Sequence, residues 1–450
     1  MVQHVYTQVT SYQVLQRDFS TNTALVKQAN GEVRSLPIGG PYTINNASNV
    51  LVGDVWVMSG QSNMRGNAFY SDPWADPPTT YPEYVDGMVH LFQSNESWTL
   101  GHEPTHRIDQ SVRQVDYDLP DPSVSNKNYY KRRGVSCGMA FAKAYRERID
   151  VPVGLMATAH GGTNMAQWSP QLLETTDNPY NNTLYGAMLG RIGKIENQVA
   201  GILWYQGESD AESSALSAEY QQNLQNFIST TRTKLNSTRL PFVYVQISRT
   251  VSEDNNDSGW NEVREAQRLL NDKRWDTERV GAVSSIDLEM DDYIHLSAEG
   301  QKAVGHRLAV TATNSLLKNK AGTSSPTFGN VTFEQKAVAA NTTSSYAIQS
   351  TLLVRFKNMD EGEWKSQDDD KVLGFTLHDS NGELVNVIYN AEIQQDKKSV
   401  RLFLTRDAKS LDSKNVFLYY GYGMDPICNM VTKSEMGLLT FGPVPIELNY

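Results

Sequence analysis

The sequence predicts a three-layer α/β protein: a parallel sheet with helices on both faces, preceded by a short β segment and followed by a β-domain. Three observations predict it. Between Leu51 and Leu317, short β-branched apolar runs alternate with stretches of helical periodicity, the pattern of strand–helix–strand units. The first run, Val52-Gly53-Asp54-Val55-Trp56-Val57-Met58, is almost continuously apolar, as a strand covered on both faces must be. Beyond Pro326 the helical period disappears and strand-like runs take over.

Residues 1–50 hold short strand-like runs broken by Gly39-Gly40-Pro41 and Asn45-Asn46, and form the expected β segment. Residues 51–320 form the expected α/β domain. Strands are expected over 52–58, 88–92, 153–157, 202–205, 242–247 and 280–286. A helix over 136–148 turns Met139, Phe141, Ala142 and Tyr145 inward. Leu184, Met188, Leu189, Ile192 and Ile195 have helical spacing and predict a helix over 184–198. Further helices are expected around Tyr220–Ile228, over 260–270 and over 297–317, the last with Val304, Leu308 and Leu316 on its apolar side. Residues 94–105 read as a loop and 318–326 as a Lys/Gly/Ser/Pro linker. Residues 321–450 form the expected β-domain, with strands over 352–354, 372–377, 384–389, 400–404 and 416–420. Ser380-Asn381-Gly382 is a hairpin turn signal, and Asp368-Asp369-Asp370 reads as a solvated loop.

The chain has 450 residues, enough for two or three domains, and a net charge of -11 from 40 Lys+Arg and 51 Asp+Glu. That balance, with no basic stripe, argues against a nucleic-acid partner. No apolar run is long enough to span a membrane. Cys137 and Cys428 are too few and too far apart for a disulfide framework or a metal cluster, and their spacing does not reveal whether they pair. Met1 to Thr10 is polar and lacks the apolar region of a signal peptide. Asn46, Asn95, Asn181, Asn236, Asn256, Asn330 and Asn341 nevertheless stand in glycosylation sequons. The expected setting is extracellular or secretory, with the cytoplasm as the alternative. The sequence carries no mark of oligomeric state.

The first buried run ends in Ser59-Gly60-Gln61-Ser62-Asn63-Met64. Ligands of open α/β sheets bind just outside the carboxyl ends of strands, so Ser62 stands where a nucleophile would. A serine hydroxyl needs a base to become one. Met64 rules out the Gly-x-Ser-x-Gly elbow. Among the 8 histidines, His295 follows a predicted strand and precedes a long helix. Asp292, three residues before it, can turn back onto the imidazole from the same loop; Asp291 is the competing acid. A rival motif, His102-Glu103-Pro104-Thr105-His106, matches the zinc-hydrolase string His-Glu-x-x-His. That chemistry needs both histidines on one helical face, and Gly101 and Pro104 disfavour a helix.

Gly53-Asp54-Val55-Trp56 followed by Ser59-Gly60-Gln61-Ser62-Asn63-Met64 resembles the nucleophile block of the sialate O-acetylesterase family, a branch of the SGNH-type esterases. Gly161-Gly162-Thr163 with Trp168, then Trp204-Tyr205-Gln206-Gly207-Glu208-Ser209-Asp210, then Asp292-x-x-His295, resemble its later blocks in order. Val14–Asp18 and Gly39–Thr43 resemble parts of its leading β-domain, in a segment shorter than the family's. The resemblance implies an SGNH-like sheet and a serine esterase that removes O-acetyl groups from carbohydrates without metal or cofactor. Sialate is the first implied substrate and an acetylated polysaccharide of the acetylxylan type the alternative. Ser62 would be nucleophile, His295 base and Asp292 orienting acid. The oxyanion hole would come from the N–H of Ser62, from Gly161 with Gly162 as alternate, and from the Gln206 amide. Gln61, Asn63, Arg65, His106 and Glu208 would surround the substrate, with Glu208 bracing its loop. Trp98 and Glu103–His106 resemble a loop that borders the pocket of carbohydrate acetylesterases. Arg65, Arg132 and Arg133 are candidates for a sugar carboxylate. A non-catalytic sugar-binding protein on the same scaffold is the other class of reading; the intact Ser62, Asp292 and His295 argue against it.

Overall fold

A computed structural model describes residues 3–72, 79–80, 84–253, 256–272, 279–317, 325–338, 347–359, 362–366, 371–405, 411 and 415–447. Six parallel strands make the central sheet: β1 (Ala47–Gly60), β2 (Val89–Phe92), β3 (Val153–Ala157), β4 (Gly201–Tyr205), β5 (Phe242–Val245) and β6 (Val280–Val283). Their spatial order is β2-β3-β1-β4-β5-β6. The chain fills one side of β1 and then the other, which opens a crevice at the carboxyl end of β1. The sheet is mixed rather than purely parallel. Trp98–Leu100, expected as loop, adds an antiparallel edge strand to β2. Three residues are too few to show alternation in a sequence, but Trp98 packs on Phe92 at 5.3 Å and fixes the pairing.

Five helices cover the sheet: α1 (Gly138–Ile149), α2 (Leu184–Gly193), α3 (Ser214–Lys234), α4 (Asp257–Asp272) and α5 (Ala298–Leu317). Side chains alternate across a strand, so Trp56 of β1 and Trp204 of β4, three register steps apart, face opposite ways. Trp56 meets Phe141 and Tyr145 of α1 at 5.5 and 5.7 Å. α5 packs on α1, where a Cβ on Gly305 would lie 2.6 Å from the Phe141 nitrogen. On the other face Trp204 meets Phe227 of α3 at 4.6 Å, and α2 brings Tyr185 to the same ring. α4 joins this layer by accepting the Tyr244 hydroxyl at the Gln267 carbonyl. α2 stops at Gly193, short of the expected 198, because Glu196 and Asn197 turn left-handed at φ +58° and +60°.

β1 begins at Ala47 and runs through the expected boundary at residue 50. Its first half pairs with Val14–Gln16 and Gly39–Ile44. Asp54 ties this segment down: it is fully buried, accepts two hydrogen bonds from Arg17 and one from Tyr145. Gly53 lets β1 pass Pro152, whose carbonyl oxygen would lie 2.0 Å from an added Cβ.

The carboxy-terminal β portion has a four-stranded antiparallel sheet (Thr327–Val338, Ala347–Lys357, Ile388–Ile393, Ser399–Leu404) and a three-stranded one (Phe375–His378, Phe417–Tyr420, Phe441–Pro445). Gly382, at φ +82°, closes the turn signalled by Ser380-Asn381-Gly382. Asp368–Asp370, Asn341 and residues 318–324 with the expected boundary at 320 lie outside the described residues. Cys137 and Cys428 are buried and unpaired. Among the described residues no helix is long and apolar enough to cross a membrane.

Candidate active site

β1 delivers Ser62 through a tight exit. Gly60 has φ +133°, and an added Cβ would sit 2.1 Å from the Tyr205 carbonyl oxygen of β4. The Gln61 N–H donates to that same oxygen at 2.8 Å. Ser62 then opens the short helix Ser62–Arg65, and its own N–H finds no partner among the described residues.

The loop after β6 brings the imidazole. His295 Nε2 lies 2.9 Å from Ser62 Oγ. His295 Nδ1 lies 2.9 and 3.0 Å from the two oxygens of Asp292. Asp292, not Asp291, faces the imidazole. The N–H groups of Ile294 and His295 donate to Asp292 Oδ1, and Arg133 donates to its Oδ2 at 2.7 Å. Burial works against the carboxylate's charge, but His295 and Arg133 outweigh it and lower its pKa. Its position leaves Nδ1 as donor and Nε2 free to accept the serine proton. A cavity of about 840 Å³ opens above Ser62, walled by residues that follow β1, β3, β4 and β6, with Asn126, Asn128, Tyr129, Arg132 and Arg133 across from them.

A family model described as carbohydrate esterase, sialic acid-specific acetylesterase, matches residues 52–314. The chain belongs to this family. A probable carbohydrate esterase of Arabidopsis thaliana is 29% identical over 269 residues, covering 57% of this chain and 88% of that protein. The sialate O-acetylesterases of Pongo abelii and Homo sapiens are each 23% identical over 249 residues, covering 48% of this chain. Those matches span 43% of the two relatives, so the chain corresponds to less than half of their length. The solved structure of a carbohydrate acetylesterase from Xanthomonas citri superposes with a TM-score of 0.66 at 21% identity, covering 98% of this chain and 99% of that one. It shares the fold across both the α/β and the β portions.

Around the site of this carbohydrate esterase, several residues stand elsewhere than expected. The Gly161 N–H, expected to face an oxyanion, donates to Asp121 Oδ2 at 3.0 Å. Gly162, the alternate, is exposed on the cavity wall and its N–H has no partner among the described residues. Gln206 is fully buried and does not line the cavity; its amide donates to the Thr163 carbonyl and to Asp210, so it has no hydrogen left for an oxyanion. His106 is buried away from the cavity, bonded to Thr105, and burial with Arg65 nearby lowers its pKa to about 3. It cannot touch a sugar. His102 and His106 lie on irregular chain around Pro104, not on a helix, and among the described residues no group of three His, Cys, Asp or Glu is placed to hold a metal ion.

Asn63 and Glu208 are buried and brace the esterase site, and Gln61 both braces it and lines the cavity. Asn63 is fully buried; it donates to Glu208 Oε1 and the Ile294 carbonyl and accepts from Leu296 N–H, gripping the backbone on both sides of His295. Gln61 lines the cavity floor, but its carbonyl accepts from Gly207 and Ser209. Glu208 is buried, and burial raises its pKa to about 7. Arg65 lines the cavity yet is 1% exposed; it sits 3.3 Å from Asp121 and over the Tyr129 ring. Of the three candidate arginines, Arg132 alone is exposed at the cavity without a side-chain partner among the described residues. Asp121, Phe69 and Tyr293 also line the cavity and were not singled out in the sequence. Asp121 had a local signal, since Asp121-Pro122 starts a short helix and caps Ser123 N–H; nothing nearby tied it to Gly161.

Proposed function

We propose that this esterase removes O-acetyl groups from carbohydrates by serine catalysis. The observation that carries the reading is the hydrogen-bonded chain Ser62–His295–Asp292 opening on a cavity of about 840 Å³. Ser62 Oγ attacks the acetyl carbonyl carbon while His295 Nε2 takes its proton. The oxyanion rests on the N–H groups of Ser62 and Gly162, each contributing on the order of 3 kcal/mol. The tetrahedral adduct collapses: His295 gives the proton to the departing sugar oxygen, and the acetyl group stays on Ser62. Water, deprotonated by the same imidazole, attacks that ester. Acetate leaves and Ser62 recovers its proton.

For the substrate, an O-acetylated sialic acid is the reading that Arg132 supports. Arg65 and Arg133 already face Asp121 and Asp292, so a sugar carboxylate entering the cavity meets Arg132 as the cation with no acid of its own. The neutral acetylated polysaccharide is the second reading, and the breadth of the cavity admits it. Acetate release from an acetylated sialic acid and from an acetylated neutral sugar, by wild type and Arg132→Ala, separates them. The sialate reading expects KM to rise about tenfold for the acidic sugar alone, as loss of a charged contact does. Equal effects on both sugars, or none, sink it in favour of the neutral substrate.

A further inference from the structure

We infer that Arg133 is a positioning residue for the catalytic acid: its guanidinium fixes the Asp292 carboxylate against His295. The inference rests on the serine triad proposed above. Arg133 starts the strand Arg133–Val135, which pairs antiparallel with Ala68–Phe69. The guanidinium lies over the Phe69 ring at 4.0 Å and reaches Asp292 Oδ2 at 2.7 Å. The Phe69 N–H donates to Asp291 Oδ2 at 2.7 Å. One small ladder therefore holds both Asp291 and Asp292.

Among the described residues, Arg133 is the one side chain besides the imidazole that holds Asp292 Oδ2. Asp292 Oδ1 is saturated by the Ile294 and His295 N–H groups and the imidazole. Oδ2 has the imidazole, already shared with Oδ1, and Arg133. Without Arg133, Oδ2 keeps only the imidazole that it shares with Oδ1, and the Nδ1–H bond that sets the tautomer loosens. The ladder is itself pinned by Gly134, where an added Cβ would lie 2.5 Å from the Tyr70 hydroxyl and 2.8 Å from Pro104.

Among the described residues Arg133 is the cation in direct contact with Asp292, and Arg132 lines the cavity wall.

The test uses an uncharged aryl acetate, so that substrate charge plays no part, with kcat and KM measured for wild type, Arg133→Gln, Arg133→Met and Arg133→Lys, and Ser62→Ala as control. Met keeps the packing on Phe69 without the charge, which covers a Gln variant that does not fold. The uncharged variants are expected to lose kcat about tenfold with KM within about twofold. Arg133→Lys, which keeps a cation on Asp292, should recover most of the lost kcat. Wild-type kcat in the uncharged variants overturns the inference, as does a rise in KM at constant kcat, which would make Arg133 a substrate contact. If Ser62→Ala is inactive and the Arg133 variants match wild type, the triad stands and the positioning role falls. If Ser62→Ala keeps its activity, both fall.

Discussion

Asn63 shows how much of this site is done by residues that never meet substrate. Its side chain spends every hydrogen-bonding group on the loop that carries His295 and on Glu208. Asn63→Ala leaves a buried carboxyl, a carbonyl and an N–H unpaired, and an unpaired buried group costs about 1–3 kcal/mol. The expected result is a loss of about 3 kcal/mol in urea unfolding, within that range, and a fall in kcat larger than any rise in KM. A variant as stable and fast as wild type contradicts the bracing role. Glu208 gives a pH test. A glutamate ordinarily sheds its proton near 4.5, whereas folded Glu208 keeps it to about 7 because it is buried. Across that window the native state holds an extra proton, so stability falls as pH rises and levels off above the window. The effect is on the order of 3 kcal/mol. Urea titrations across the window should show a shallower slope for Glu208→Gln; equal slopes would count against a buried, protonated Glu208. At this scale the meeting of Ser62, Asp292 and His295 was legible because their strand-end and loop positions coincide with blocks that resemble the family's. Gly161 and Gln206 were misread for one physical reason: whether a donor is free depends on partners such as Asp121 and Asp210, and burial decides that only in three dimensions.

Elements were legible wherever an apolar period ran long enough. β3 over Val153–Ala157 matches its expected span, and α1, α3, α4 and α5 lie where helical spacing put them. The edge strand Trp98–Leu100 was too short to show, and the end of α2 was set by two left-handed residues that carry no glycine signal. The glycines of the motif are instructive because they serve different ends. Gly53→Ala drives a methyl into the Pro152 carbonyl between β1 and β3, an overpacking expected to cost about 3 kcal/mol. Gly162→Ala meets no atom within 4 Å and suffers only its φ of +64°, a strain of about 1 kcal/mol. Thermal unfolding of the two variants should rank them in that order. Similar losses would mean that the close approach of the two strands is not what Gly53 provides.

At the scale of the whole molecule, buried polar clamps join the β portion to the α/β layers. Arg264 of α4, 1% exposed, donates to the carbonyls of Ser248, Gly421 and Gly423. Gln246 and Thr440 exchange two hydrogen bonds, and Arg307 of α5 joins Asp287 to the Glu435 carbonyl. The Met424 carbonyl accepts from Thr250 N–H, and the Thr250 hydroxyl donates to the carbonyl of Tyr293, next to Asp292. The β portion thus reaches the catalytic loop in two contacts. Arg264→Met should therefore lower activity as well as stability, and a destabilised variant with unchanged kcat at low temperature would show that the two are uncoupled. The sequence marked a change of architecture after Pro326 but not this seam, whose contacts are backbone carbonyls without a sequence signature.

The most direct measurement is acetate release from an aryl acetate and from an O-acetylated sialic acid, by wild type and Ser62→Ala, with and without a chelator. The expected result is wild-type activity that survives the chelator and falls by about 10⁴-fold or more in Ser62→Ala. Full activity in Ser62→Ala, or loss of wild-type activity to the chelator, would contradict serine catalysis and return the chemistry to other residues of the chain.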